Sequence, residues 1–393
     1  MVEYIKGSGR VSLVKLIRTY AVVPMGKQTG GSRVENGVRV VMRQQLIRLL
    51  RGDVGRAQLH AKLAQMHEKT HRWEEAASAY EAALARDDSR AEWHASLARV
   101  HEKTHRWEEA AAAHQVVDRL LIRFREELRQ SLPVRDATFH KIKRLTSGYL
   151  NPAVYERIYQ ASYEAPPGAV VDIGPAQGGS TIAIGLGRRE AGLLTRIYSI
   201  DLFRASRALR SETNFSLNIR TLRENVDALG FADAVFIIRV GHDKIEEVIP
   251  HDEPIALLFI DADGGLDRDF EMFYDRLVAG AKIIIDDYAP NISKKMLLKS
   301  EEDLSDYARR KGAISVRDVN LLGKSYTTFR FAKYFMEHNL MEIEGVIDTT
   351  VFCKKPGTAP LFNTGDRRAA MAKIRGDILS EFYALAESEC AAS

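Results

Sequence analysis

The chain of 393 residues has only two cysteines, Cys353 and Cys390. Two distant thiols make neither a disulfide framework nor a zinc site, and their scarcity suits a reducing compartment, so a cytoplasmic location is expected. No run approaches the roughly 18 apolar residues needed to span a bilayer. The longest stretches, such as Ile255–Ile260, read as buried strands. No charged start leads into a continuous apolar core and a small-residue cleavage site, so no signal peptide is expected. Nor is there a large excess of one charge: 57 Lys and Arg face 53 Asp and Glu, a net +4, too little to imply a nucleic-acid partner. What is present is the ordinary mixture of a globular protein, 45% apolar and 28% charged, in a length that suits two or three domains.

The charge is unevenly spread. Residues 1–60 hold eleven Lys and Arg against Glu3, Glu35 and Asp53. This basic leader, taken as residues 1–50 and partly disordered or helical, is either a solvated segment or a patch for an acidic polymer or lipid headgroups.

An internal repeat follows. His67–Ala77 and His101–Ala111 are the same eleven residues, HEKTHRWEEAA, 34 positions apart. The match extends outward to Leu63 with Leu97, Ala64 with Ala98 and Ala57 with Ala91. Spacings of three and four predict two helices per unit, each with one apolar stripe. The period and the small residues resemble the tetratricopeptide repeat, although glycine is missing from its small position and no proline follows the second helix. That resemblance implies a groove for a protein partner; a dimerisation or spacer module, and hence a homo-oligomer, is the other reading. The repeated His67, His71, His101 and His105 are expected on the repeat surface rather than as metal ligands.

Beyond the repeats (51–130) and a helical linker (131–165), Pro166-Pro167-Gly168 marks a change of pattern. Short apolar runs at 169–173, 197–200, 234–240, 255–260 and 281–285 alternate with helical stretches at 180–190, 216–229, 243–249 and 269–277. This predicts an α/β domain over 166–356 with a mostly parallel sheet. Two strands within 340–354 are expected to close it as an antiparallel edge, and a helix fills the last segment, 357–393.

Ligands of such sheets bind beyond the carboxyl ends of the strands. The first strand runs into Val171-Asp-Ile-Gly-Pro-Ala-Gln-Gly-Gly-Ser-Thr181. Gly174, Gly178 and Gly179 permit a tight turn and close backbone approach before a helix start. The spacing is neither Gly-x-Gly-x-x-Gly nor a Walker loop, which weakens a nicotinamide-dependent oxidoreductase as the alternative. The second strand ends in Asp201, placed to accept both hydroxyls of a ribose. The third ends in Gly241-His242-Asp243, the fourth in Phe-Ile-Asp261-Ala-Asp263-Gly264 and the fifth in Ile-Asp286-Asp287-Tyr288. Three carboxylates at adjacent strand ends repel one another unless protonated or coordinated, and a hard dication such as Mg²⁺ neutralises them.

In order and spacing this set resembles class I S-adenosylmethionine-dependent methyltransferases, and among them the metal-dependent O-methyltransferase and macrocin O-methyltransferase-like branch, whose sheet is Rossmann-like. The resemblance covers about residues 150–355. It implies that Asp172, Gly174, Gly178, Gly179 and Ser180 line the methionine end of S-adenosylmethionine, that Asp201 holds the ribose, and that His242 and Asp243 sit near the adenine. It also implies that Asp261, Asp286 and Asp287 bind the metal, with Asp261, Asp263 and His242 as catalytic groups. A small-molecule or saccharide hydroxyl is the implied acceptor. Gly264 stands where many relatives carry a histidine base, which leaves Asp263, His242, Tyr288 or the metal itself to handle the proton, or a scaffold with a vestigial cofactor fold. Lys294, Lys295 and Lys299 read as a solvated face or an anion contact, His251 as exposed, and Phe329, Phe331, Tyr334 and Phe335 as core or an acceptor lid.

Overall fold

The computed structural model describes residues 53–130, 136–146, 148, 150–201, 212–239, 249–261, 265–289 and 324–390. The chain divides into two compact units, Met1–Leu121 and Ile122–Ser393. Among the described residues no helix is long and apolar enough to cross a membrane.

In the first unit the repeat folds as two helix–turn–helix pairs: α1 (Asp53–Lys69) with α2 (Trp73–Leu84), and α3 (Ala91–Lys103) with the start of α4 (Trp107–Arg129). Alanines 57, 61, 64, 76, 77, 79 and 83 are seven of the twelve buried residues of the core formed by α1, α2 and α3, and their small side chains let the helices approach closely. The two turns are the same in detail. His71 (φ 56°) and His105 (φ 59°) adopt the left-handed conformation. The amides of Arg72 and Arg106 then bond back to the carbonyls of His67 and His101 at 2.9 and 2.8 Å, closing the helix ends with a Schellman pattern. Each turn histidine sets its ring edge against the tryptophan two residues on. The repeat also survives substitution. Tyr80 Oη donates to Glu68 at 2.5 Å, and 34 residues later His114 Nε2 makes the equivalent 3.0 Å contact with Glu102. The histidines are not uniformly superficial, as the repeat pattern suggests. His101 is buried and His67 half-buried, and burial lowers the pKa of both, whereas His71 and His105 are exposed.

The second unit begins with α5 (Asp136–Thr146) and α6 (Pro152–Glu164), the latter capped by the Asn151 side chain. A seven-stranded sheet then forms from β1 (Ala169–Ile173), β2 (Ile197–Asp201), β3 (Val235–Arg239), β4 (Ile255–Ile260), β5 (Leu277–Ile285), β6 (Glu342–Ile347) and β7 (Thr350–Lys354). Its order is β3-β2-β1-β4-β5-β7-β6. The first five strands run parallel, and β7 is inserted antiparallel between β5 and β6. The crossovers include α7 (Gly179–Glu190), α8 (Glu212–Ala228) and α9 (Leu266–Phe273). After β5 come α10 (Lys324–Glu337), preceding β6, and the terminal α11 (Gly365–Cys390). Every residue of β1 and β4 is buried, as central strands covered on both faces require.

The expected alternation is therefore present, with local differences. The helix expected over 269–277 ends at Phe273, and a 3₁₀ turn, Tyr274–Arg276, leads straight into β5. Tyr274 Oη donates to the carbonyl of Leu340 at 2.5 Å, and the Asp275 carboxylate accepts from the amides of Phe362 and Asn363, so this turn is anchored rather than helical. The aromatic run also separates. Phe331 and Phe335 are fully buried, with Phe335 stacked 4.2 Å from Phe270, while Phe329 stays beside Tyr288 at 5.2 Å. The helix expected over 243–249 lies, apart from Ile249, outside the described residues.

Gly187 sets how closely α7 lies on α6. A Cβ there would come 2.4 Å from the Tyr159 carbonyl oxygen and 2.9 Å from Ser162 Cβ. Alanine is the better helix former by roughly 1 kcal/mol, yet Gly187→Ala should destabilise the chain, by about 1–3 kcal/mol, because backbone must move to admit the methyl. Thermal or urea unfolding reads the sign directly, and a stabilised variant contradicts the close contact.

Candidate functional site

Parallel strands deliver their carboxyl ends to one edge of the sheet, and in this chain the ladder runs one residue past each strand. The amide of Gly174 donates to Ile200 O at 2.9 Å, that of Asp261 to Ile173 O at 2.9 Å, and that of Asp286 to Ile260 O at 3.0 Å. These bonds fix the first loop residue after β1, β4 and β5. With Asp201 ending β2, they set Asp201, Gly174, Asp261 and Asp286 side by side along the edge in the order of their strands. The charges of Asp261 and Asp201 both reach Asp172. His242, Asp243, Asp263, Gly264, Lys294, Lys295 and Lys299 lie outside the described residues.

After β1 the chain turns sharply. Gly174 (φ 86°), Ala176 (φ 47°) and Gly178 (φ 94°) are left-handed, and the Gly178 amide closes the turn on the Pro175 carbonyl at 2.7 Å. A Cβ on Gly178 would meet Leu222 Cδ1 at 2.4 Å, and one on Gly179 would meet Tyr155 Oη at 2.5 Å. The left-handed backbone favours glycine at 178, and the Tyr155 ring leaves no room for a side chain at 179. Beneath the turn Asp172 is completely buried. Its carboxylate accepts from Ser180 Oγ at 3.0 Å and from Thr181 Oγ1 at 2.6 Å, and Thr181 Oγ1 also lies 3.0 Å from Ser199 Oγ. Burial pushes Asp172 up to about 7, against the pull of these hydroxyls. Asp172 and Ser180, expected to line a ligand, are bonded to each other and tie the turn to the first helical residues.

The second group of acids lies after β4 and β5. Asp261, Asp286 and Asp287 each offer a carboxylate oxygen, all within 4.8 Å of one another. Among the described residues this is the one cluster of such groups able to hold a metal ion. Asp286 Oδ1 accepts from Thr350 Oγ1 at 2.6 Å and Thr349 Oγ1 at 3.3 Å, hydroxyls brought there by the insertion of β7 beside β5. Asp287 takes a left-handed backbone (φ 56°), while the next amide, of Tyr288, is held by Thr349 O at 2.7 Å. Such backbone costs of the order of 1 kcal/mol and persists when its surroundings hold it. Burial raises the pKa of Asp261, opposed by Lys324, and raises that of Asp286, reinforced by the charge of Asp261.

Three partners escape the sequence reading. Lys324, the first residue of α10, donates to Asp261 Oδ1 at 2.9 Å and forms an ion pair with Asp287 Oδ2. Burial alone would lower its pKa, but the two carboxylates outweigh that and hold it above the ordinary lysine value. Thr350 comes from a strand whose place in the sheet is not local information. Tyr155, from α6, is buried with its hydroxyl over Gly179; burial raises its pKa, and the charges of Asp261, Asp172 and Asp286 add to this.

A family model described as a methyltransferase domain matches residues 171–288, from within β1 to the residue after Asp287. The sheet, with five parallel strands in the order β3-β2-β1-β4-β5 and β7 antiparallel beside β5, is Rossmann-like. Similar solved structures include a putative caffeoyl-CoA O-methyltransferase from Staphylococcus aureus, 16% identical over 59% of this chain and 96% of that one, with a TM-score of 0.38. An O-methyltransferase from Bacillus cereus in complex with SAH is 14% identical over 58% and 96%, TM-score 0.38. The O-methyltransferase TomG from Streptomyces achromogenes, in complex with SAM, is 13% identical over 58% and 93%, TM-score 0.37. No curated protein matches the chain in sequence.

Asp172 gives a testable pH signature. An unfolded aspartate titrates near 3.9, so between about 4 and 7 the folded chain binds more protons at this group than the unfolded chain. Its contribution to stability therefore falls as pH rises through that window and is constant above it. Asp172→Asn should make the slope of unfolding free energy against pH less negative there, read by urea denaturation at several pH values. An unchanged slope contradicts the assignment.

Proposed function

We propose that this chain is an S-adenosylmethionine-dependent methyltransferase acting on a hydroxyl oxygen of a small-molecule or saccharide acceptor, assisted by Mg²⁺. The observation that carries the reading is the shared edge. A glycine turn at a helix start, an acid ending the neighbouring strand, and a cluster of three carboxylates on the other side stand in line on one Rossmann-like sheet.

The turn 174–179 and the start of α7 are the proposed seat of the methionine end, where helix-start amides and dipole favour a carboxylate. Asp172, Ser180 and Thr181 hold that turn in shape from beneath. Asp201 is the proposed acceptor for the ribose hydroxyls, and His242 and Asp243 the proposed neighbours of the adenine. The donor set of Asp261, Asp286 and Asp287 is all oxygen and anionic, which fits a hard dication. When bound, S-adenosylmethionine supplies an electrophilic methyl on a sulfonium, and Mg²⁺ supplies a Lewis acid that lowers the pKa of an acceptor hydroxyl. Asp261, Asp263 and His242 are the proposed groups beside that hydroxyl and its departing proton. The chain itself contributes position: rigid strand ends hold the two halves of the site in fixed register, which supplies much of the rate in a bimolecular transfer. For the first unit the proposed role is to hold a protein partner or a second copy, in the manner of tetratricopeptide-like repeats.

Calorimetric titration with S-adenosylmethionine and, separately, NAD tests the cofactor class. Binding of the former alone is expected, and Asp201→Asn should weaken it about tenfold or more by removing a charged hydrogen-bond acceptor. Binding of NAD alone contradicts the reading. Methyl transfer from radiolabelled S-adenosylmethionine to a panel of hydroxylated acceptors tests the metal. Asp286→Ala and Asp287→Ala should lose Mg²⁺-dependent transfer while keeping cofactor affinity within about tenfold, because these residues directly follow β5, which β1 and β4 separate from β2 and Asp201. Full transfer in excess EDTA contradicts it.

A further inference from the structure

The carboxylate cluster already contains a cation of the chain's own. Lys324 Nζ lies 2.9 Å from Asp261 Oδ1 and is paired with Asp287 Oδ2, two of the three residues whose oxygens converge within 4.8 Å. An ammonium donates up to three hydrogen bonds and carries one charge. A divalent ion such as Mg²⁺ draws on oxygens of the same carboxylates at about 2.1 Å. A nitrogen in hydrogen-bond contact with those oxygens occupies the layer the metal would fill. Two cations sharing them would stand a few ångströms apart and repel strongly in a partly desolvated place. Occupation by Lys324 and by a dication therefore exclude each other. The neighbouring backbone is tethered, with the Ala289 amide bonded to Ser325 O at 3.4 Å and Ser325 Oγ 3.5 Å from Asp287 Oδ1. Exchange thus falls to the long, flexible lysine side chain rather than to α10.

We propose that Lys324 is a built-in competitor for the divalent cation: its ammonium holds Asp261 and Asp287 together when no metal is bound and is expelled when one enters. The proposal rests on the metal reading above and adds what limits it. The lysine keeps the cluster neutralised enough to fold without metal, and it sets metal affinity below that of a bare three-carboxylate site.

Mn²⁺ is the probe, with free ion followed by electron paramagnetic resonance and binding heat by calorimetry, on the full chain and its Lys324→Met, Lys324→Gln and Lys324→Arg variants. Lys324→Met and Lys324→Gln should bind Mn²⁺ about tenfold or more tighter than the parent, Lys324→Arg no tighter, and Lys324→Met combined with Asp286→Ala should lose the gain. Equal or weaker binding by both neutral variants overturns the competitor role and leaves the metal reading standing. No Mn²⁺ binding by the parent or any variant overturns both. A second measurement uses the parent alone. Saturating Mn²⁺ should speed acetylation of Lys324 by an N-hydroxysuccinimide ester, read by mass spectrometry; an unchanged or slower rate overturns the proposal.

Discussion

Acidic residues placed just past β4 and β5 must meet, because neighbouring strands lie only about 4.8 Å apart and the ladder holds Asp261 and Asp286 to the strand ends. Two unit charges at about 4 Å repel by roughly 4 kcal/mol at the effective dielectric of a protein surface. A third carboxylate adds to this, so the site needs positive charge and hydrogen-bond donors around it. Much of the nearby architecture answers that need. Thr349 and Thr350 donate to Asp286, Lys324 pairs with Asp261 and Asp287, and the left-handed backbone of Asp287 accompanies its carboxylate's place in the cluster. The insertion of β7 between β5 and β6 is what brings the threonines there.

The other half of the edge uses different chemistry. Around β1 a single carboxylate, Asp172, is taken out of water completely and given hydroxyl partners instead of a cation. Burial still pushes Asp172 up to about 7 against these hydroxyls. The result is a stiff turn whose shape is set from below, on a protein edge where a proposed nucleoside is to be held in one pose. The two halves sense each other through charge, since Asp261 raises Asp172 and Asp201 raises both.

Much of this was legible from local signals. Strands of five or six apolar residues, a glycine turn and acids at strand ends are short-range features, and the sheet and the meeting of Asp261, Asp286 and Asp287 follow from them. The 34-residue repeat likewise foretold two helix pairs, whereas the left-handed histidine at each turn is seen only in the structure. The partners of the acids were not legible. Lys324 lies 63 residues from Asp261, and Thr350 lies 64 from Asp286, each on an element whose position depends on the whole sheet. Lys294, Lys295 and Lys299, read as a solvated face or an anion contact, lie outside the described residues. The aromatic run 326–335 was ambiguous because core and lid share helical spacing; packing against Phe270 decides for Phe331 and Phe335.

One shared edge is proposed to serve a nucleoside on the β1–β2 side and a cation on the β4–β5 side. A crystal structure of the chain with S-adenosylhomocysteine and Mn²⁺, collected at the manganese absorption edge, tests this most directly. The nucleoside is expected between the 174–179 turn and Asp201, with an anomalous peak among Asp261, Asp286 and Asp287 and the Lys324 side chain turned away. Nucleoside density on any other face of the chain, or a manganese peak remote from the three aspartates, would contradict it.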